Sequence, residues 1–138
     1  MPTTVLVVED NAQNLYLATY LLENAGFRVL SATDGINGVA MAKEGMPDIV
    51  LMDILLPGVD GYEATRRLKS DPATVGIPVV ALTAYSMEGD EQSALAAGCD
   101  GYISKPIDPS DFVTKVTLFL SRRSGSGEGD PQTEDIDR

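Results

Sequence analysis

Between Thr4 and Leu120 the chain alternates five short apolar runs with five stretches of helical spacing. "TVLVV" (4–8), "FRVLSA", "DIVLMD", "IPVVALTA" and "GYISK" read as strands; "DIVLMD" is apolar on both faces, as central parallel strands are. "LYLATYLLENAG" puts Leu15, Ala18, Leu22 and Ala25 on one helical face and ends at Gly26. "GINGVAMAKEG" is a helix stopped by Gly45, and "GYEATRRLKS" a helix capped by Asp60. "SMEGDEQSALAAG" starts at Ser86 as N-cap, with Glu88, Asp90 and Glu91 complementing the helix dipole. "DPSDFVTKVTLFL" is capped by Asp108, has Pro109 at its first helical position, and carries Phe112, Val113, Val116, Phe119 and Leu120 on one face. Such alternation predicts an α/β domain, with a parallel sheet covered on both sides.

The polar residues at strand ends change the picture. The first apolar run leads into Glu9 and Asp10, the third into Asp53, the fourth into Thr83 and the fifth into Lys105. In open α/β sheets the crevice beyond the carboxyl ends of the strands is where sites form, so these side chains should converge there. Three carboxylates at close range repel one another unless a cation lies among them. All-oxygen ligation suits Mg²⁺ (or Mn²⁺), and a metal, an ammonium and a hydroxyl together can hold a phosphoryl group. Asp53 would then be the nucleophile, forming an aspartyl phosphate.

Composition narrows the classes. The chain has 138 residues, a net charge of −11 and no histidine. Imidazole-based triads and His metal sites are thereby excluded, and the acidity argues against nucleic acid as a partner. No apolar run is long enough to span a membrane and the N-terminus has no signal-peptide shape, so a cytoplasmic protein is expected, without a membrane partner. The single cysteine, Cys99, cannot form an internal disulfide and reads as a small buried apolar residue. From Ser121 the chain turns Gly-, Ser- and acid-rich. The expected division is a domain over 1–121 and a disordered acidic tail over 122–138.

"VLVVEDN", "DIVLMDILLPGVDGYE", "PVVALTA" and "DGYISKP" together resemble the receiver domain of two-component response regulators, over residues 4 to about 120. The resemblance implies a flavodoxin-like, doubly wound five-stranded parallel sheet in the order 2-1-3-4-5 with five helices. It implies phosphorylation of Asp53 by a histidine kinase or a histidine phosphotransfer protein. Glu9, Asp10, the Asp53 carboxylate and the backbone carbonyl of Leu55 match the Mg²⁺ site. Thr83 and Lys105 match the hydroxyl and the lysine that meet the phosphoryl group, and Thr83 and Tyr102 the switch pair. Pro57 and Gly61 match the loop after the acceptor, and Pro106 the family's cis peptide position. The readout surface would be the fourth helix, fifth strand and fifth helix, facing a downstream protein target, with a phosphorylation-dependent dimer as a further expectation. The bulk of Leu55 and Tyr85 predicts slow loss of the phosphoryl group. The implied protein is a signalling protein, not an enzyme: it catalyses only its own Mg²⁺-dependent phosphorylation and dephosphorylation.

Each residue alone has a plainer reading. Asp10 or Asp53 could be a cap or turn former, Thr83 a cap hydroxyl, Lys105 a solvated charge and Tyr102 core. Their convergence is what carries the functional reading. Arg66–Arg67 and Arg122–Arg123 read as solvated or helix-end charges. A flavodoxin-like cofactor binder would need a Gly- and hydroxyl-rich first loop where this chain has "EDN". A haloacid-dehalogenase-type hydrolase would need a second acid where Leu55 stands. A receiver stripped of its chemistry would lack members of the set. Met1 and the acidic tail favour a stand-alone regulator over a receiver cut from a hybrid kinase or a larger regulator.

Overall fold

The computed structural model describes the backbone of residues 2–83 and 88–125, with side chains over 2–83 and 92–121. The elements run β1 (Thr4–Val8), α1 (Ala12–Asn24), β2 (Arg28–Ala32), α2 (Gly35–Gly45), β3 (Ile49–Asp53), α3 (Gly61–Ser70), β4 (Val79–Thr83), α4 (Glu88–Ala96), β5 (Gly101–Ser104) and α5 (Phe112–Gly125). All pairings are parallel and the sheet order is β2-β1-β3-β4-β5, the expected doubly wound arrangement.

Strand alternation divides the core in two. Leu6, Val8, Val50, Met52, Val79 and Ala81 pack against α2, α3 and α4 through Val39, Ala42, Ala64, Leu68 and Ala94. Val5, Val7, Ile49, Leu51, Val80 and Leu82 point the other way, onto Ala18 and Leu22 of α1 and Phe112 and Val116 of α5. Successive strand residues face opposite sides, so a run apolar on both faces needs helices on both. Each fully buried Leu or Phe contributes roughly 1.5–3 kcal/mol.

Several local expectations are corrected. The helical period of α1 begins at Ala12, because Asn11 caps it, its side chain accepting from Asn14 N–H at 2.9 Å. Ala25 is its exposed C-cap rather than a face residue. α2 keeps Gly45 as its last helical residue, and Met46 takes the left-handed conformation (φ 44°). Asp108 caps a turn instead of opening α5. Its Oδ1 accepts from Ser110 N–H at 2.9 Å, and its carbonyl accepts from Phe112 N–H at 3.0 Å, where α5 starts. Pro109 therefore lies in that turn. α5 runs past Ser121 to Gly125. Asp60 caps α3 as expected, accepting from Glu63 N–H at 2.9 Å. The Ser86 cap, Tyr85, the side chains of Glu88, Asp90, Glu91, Arg122 and Arg123, and the tail from 126 on lie outside the described residues.

Candidate functional site

Parallel pairing of β1 with β3 ends at Val8 opposite Met52, so Glu9 and Asp53 leave their strands side by side. Ligand atoms of Glu9, Asp10 and Asp53 lie within 4.8 Å of one another. Glu9 is 1% exposed and Asp53 4%, whereas Asp10 is open to solvent. Glu9 Oε2 accepts from Asn11 N–H at 3.1 Å. Oε1 is approached by Lys105 Nζ at 2.9 Å as an ion-pair partner, off the hydrogen-bond direction, and accepts no hydrogen bond. Asp53 Oδ1 accepts from Lys105 Nζ at 3.1 Å and from Leu55 N–H at 3.3 Å.

The two buried acids thus share one ammonium, with solvent-exposed Asp10 beside them. Burial, with the Glu9 charge beside it, pushes the Asp53 carboxyl above the usual aspartate range, against the pull of Lys105. Burial alone would lower Lys105. Its close contact with Glu9 and the Asp53 charge outweigh that and hold the ammonium above the ordinary lysine value.

The other predicted residues fall around this centre. Asp53 pairs in register with Leu82, which puts Thr83, buried, one step further along the neighbouring strand. Thr83 carbonyl accepts from Lys105 N–H at 2.7 Å, which carries Lys105 from the end of β5 back over the acids. The Lys105–Pro106 bond is cis, as expected. Leu55 is exposed at the rim. Tyr102 is half-buried against the α2–α4 side of the core. It also lines, with Ser104, Lys115, Leu118 and Phe119, a cavity of about 300 Å³ between β5 and α5. Cys99 is buried as expected, with Sγ 3.7 Å from Thr65 Oγ1. Arg66 and Arg67 both pair with exposed Glu63. Asn11, which fixes Glu9 from the α1 N-terminus, was not anticipated. An Asn just before a helical period is a readable capping signal.

The donor set fits a hard divalent cation: carboxylate ligands alone, two of them buried, and an open side at Asp10. Among the described residues this is the one such cluster.

A doubly wound parallel sheet with an acid trio beyond its central strands and a lysine folded over it defines the class of signal-receiving α/β domains. The response regulator receiver domain profile matches residues 5–117, and the chain belongs to that family. The polar-differentiation response regulator DivK of Brucella anthropi is 42% identical over 120 residues, covering 87% of this chain and 98% of that protein. A putative response regulator from Chloroflexus aurantiacus superposes with TM-score 0.84 at 31% identity, covering 88% of this chain and all of that one. The receiver domain of a sensor histidine kinase from Pseudomonas aeruginosa, which has a magnesium ion in its active-site cleft, has TM-score 0.81 and 33% identity. That likeness covers 88% of this chain and 99% of the other. Among the described residues no helix is long and apolar enough to cross a membrane.

Proposed function

We propose that this receiver is a phosphorylation-driven switch in which Asp53 accepts a phosphoryl group from the phosphohistidine of a kinase or phosphotransfer protein. The carrying observation is the Glu9–Asp10–Asp53 trio, two of its acids buried and Asp10 open to solvent, with Lys105 paired to both buried acids. Glu9, Asp10 and Asp53, with the Leu55 carbonyl implied by resemblance, hold Mg²⁺ (or Mn²⁺). The cation supplies neutralisation of the phosphoryl oxygens. A carboxylate oxygen of Asp53 bonds to phosphorus as the donor P–N bond breaks, and the freed electron pair stays on the donor imidazole, which takes a proton. Lys105 balances the added charge, and the Thr83 hydroxyl, on the adjacent strand, donates to the phosphoryl oxygens. The donor imidazole must come from another molecule, since this chain has no histidine. No separate substrate is turned over.

Movement of Thr83 toward the dianion, followed by Tyr102, alters the α4–β5–α5 face for a downstream protein. Exposed Leu95 and Leu118 and the cavity beside Tyr102 support that face as a docking surface. A phosphorylation-dependent dimer through α4 and α5 is tested by light scattering with and without a phosphate mimic.

Near-full coverage of DivK supports a stand-alone regulator. The likeness to receivers of histidine kinases supports the second reading, a domain of a hybrid kinase. A third, a phosphate-independent docking module, is separated from both by intact mass after incubation with acetyl phosphate. One added phosphoryl group that requires both Mg²⁺ and Asp53, and is lost in Asp53→Asn, is expected. No gain under any condition leaves only the docking module.

A further inference from the structure

The loop from Ile54 to Asp60 carries the Leu55 N–H that holds Asp53 Oδ1. On one side this loop borders a cavity of about 540 Å³, lined by Asp10, Leu55, Leu56, Pro57, Asp60 and Tyr62 among others. Its support therefore comes from its two ends, from Ile54 and Leu56 buried in the core, and from the helix behind it. At one end, Gly61 N–H donates to the Ile54 carbonyl at 3.1 Å. A Cβ on Gly61 would overlap the Asp53 carbonyl oxygen and lie 2.8 Å from Ile54 Cα. Toward the other end, the first residue of α2, buried Gly35, lies against Val59: a Cβ there would overlap the Val59 carbonyl oxygen and lie 3.2 Å from its carbon. Both contacts are made to backbone, which cannot swing aside as a side-chain tip can.

We propose that Gly35 is a positioning residue for the acceptor: the N-terminus of α2 is the wall that sets the 54–60 loop, and through Leu55 N–H the Asp53 carboxylate. The inference rests on the reading of Asp53 as acceptor and cation ligand. With Ala at 35 the Val59 carbonyl must withdraw by about 1 Å to regain ordinary contact, and the open side of the loop is where the strain can go. Gly45 supplies the control. It ends the same helix, is exposed, and its Cβ would meet only the tip of the Leu30 side chain at 2.6 Å.

The experiment compares wild type, Gly35→Ala and Gly45→Ala. In chelator, the amide resonance and hydrogen exchange of Leu55 are followed by NMR. Mg²⁺ affinity is then titrated calorimetrically, and acetyl phosphate labelling is measured across Mg²⁺ concentrations. Gly35→Ala is expected to shift the Leu55 amide, speed its exchange, and weaken Mg²⁺ binding about tenfold, the size typical of lost ligand support. Labelling should recover at high Mg²⁺. Gly45→Ala should move neither the Leu55 amide nor the Mg²⁺ affinity, because the Leu30 side-chain tip can swing aside. If Gly35→Ala does not fold, Val59→Gly frees the backbone that Gly35 abuts, at a half-exposed position, and should move the same two readouts in the same direction. An unmoved Leu55 amide with unchanged Mg²⁺ affinity overturns the inference. The chelator measurement decides positioning without any metal chemistry, whereas a wild type that neither binds Mg²⁺ nor takes label overturns the proposed function instead.

Discussion

Removing the acceptor charge should stabilise this domain in the absence of divalent ions. With ligand oxygens no more than 4.8 Å apart, Asp53 and Glu9 repel by at least about 3.5 kcal/mol at an effective dielectric near 20. Lys105 at 3.1 Å returns about 5 kcal/mol on the same scale, and solvent-facing Asp10 adds a smaller repulsion. The charge terms nearly cancel, so burial of the Asp53 carboxylate decides the sign. That agrees with the upward displacement of its pKa, of which burial is the first cause. Asp53→Asn keeps an oxygen for Leu55 N–H and leaves Lys105 its contact with Glu9 at 2.9 Å, so no buried charge is orphaned. The variant should gain about 1–2 kcal/mol at pH 7 in chelator, roughly 4–8 °C in melting temperature for a domain of this size. The pH dependence follows from the direction of the shift. A carboxyl whose folded pKa is raised favours the folded state below the unfolded aspartate value and loses that contribution as pH rises through the folded pKa. The gap between variant and wild type should therefore open with rising pH in that window and close on acidification. Saturating Mg²⁺ should close it at neutral pH, by stabilising wild type more than the variant. Differential scanning calorimetry from pH 4 to 8, with chelator and with Mg²⁺, measures all three trends. A variant that melts below wild type in chelator at pH 7, or a gap that widens on acidification, would refute the reasoning.

Lys105→Met should do the opposite of Asp53→Asn: it strips from two buried acids the one cation paired with them among the described residues, costing about 3–5 kcal/mol in chelator, and Mg²⁺ should restore part of the loss in a thermal melt. Lys69 Nζ donates to the Ile77 carbonyl at 2.8 Å and to Asp100 Oδ2 at 3.0 Å, tying α3 to the turns flanking β4 and β5. Lys69→Met should cost about 1–3 kcal/mol in a urea titration while leaving Mg²⁺ affinity alone; an unchanged midpoint would contradict the clasp. Burial pushes the Cys99 thiol above its ordinary pKa, so a thiol reagent at pH 8 should react with it far more slowly in native than in urea-unfolded protein, and equal rates would contradict its burial. Replacing Leu55 and Tyr85 together by small polar residues should speed loss of the phosphoryl group, and an unchanged decay measured by intact mass would remove the shielding idea.

How far the chain could be read depended on range. Strands such as "DIVLMD" announce themselves by composition, and parallel α/β order follows from alternation. Asp53, Thr83 and Lys105 were legible because each interrupts or ends an apolar run where no charge or hydroxyl is needed. Helix limits were less legible: Asn11 and Met46 took capping roles that Leu15 and Gly45 would have suggested otherwise, since a cap is settled by one local hydrogen bond or one backbone angle.

The sequence by itself therefore determined the alternation of elements, the doubly wound class and the identity of the converging acids, because burial on both faces and strand-end placement are written in residue order. Tertiary structure alone decided which Glu9 oxygen the ammonium meets, that Lys105 divides itself between Glu9 and Asp53, and that the first residue of α2 abuts the backbone behind the acceptor loop. Those outcomes depend on distances between segments far apart in the chain, and side-chain periodicity carries no information about separations of a few ångströms across a packed interior.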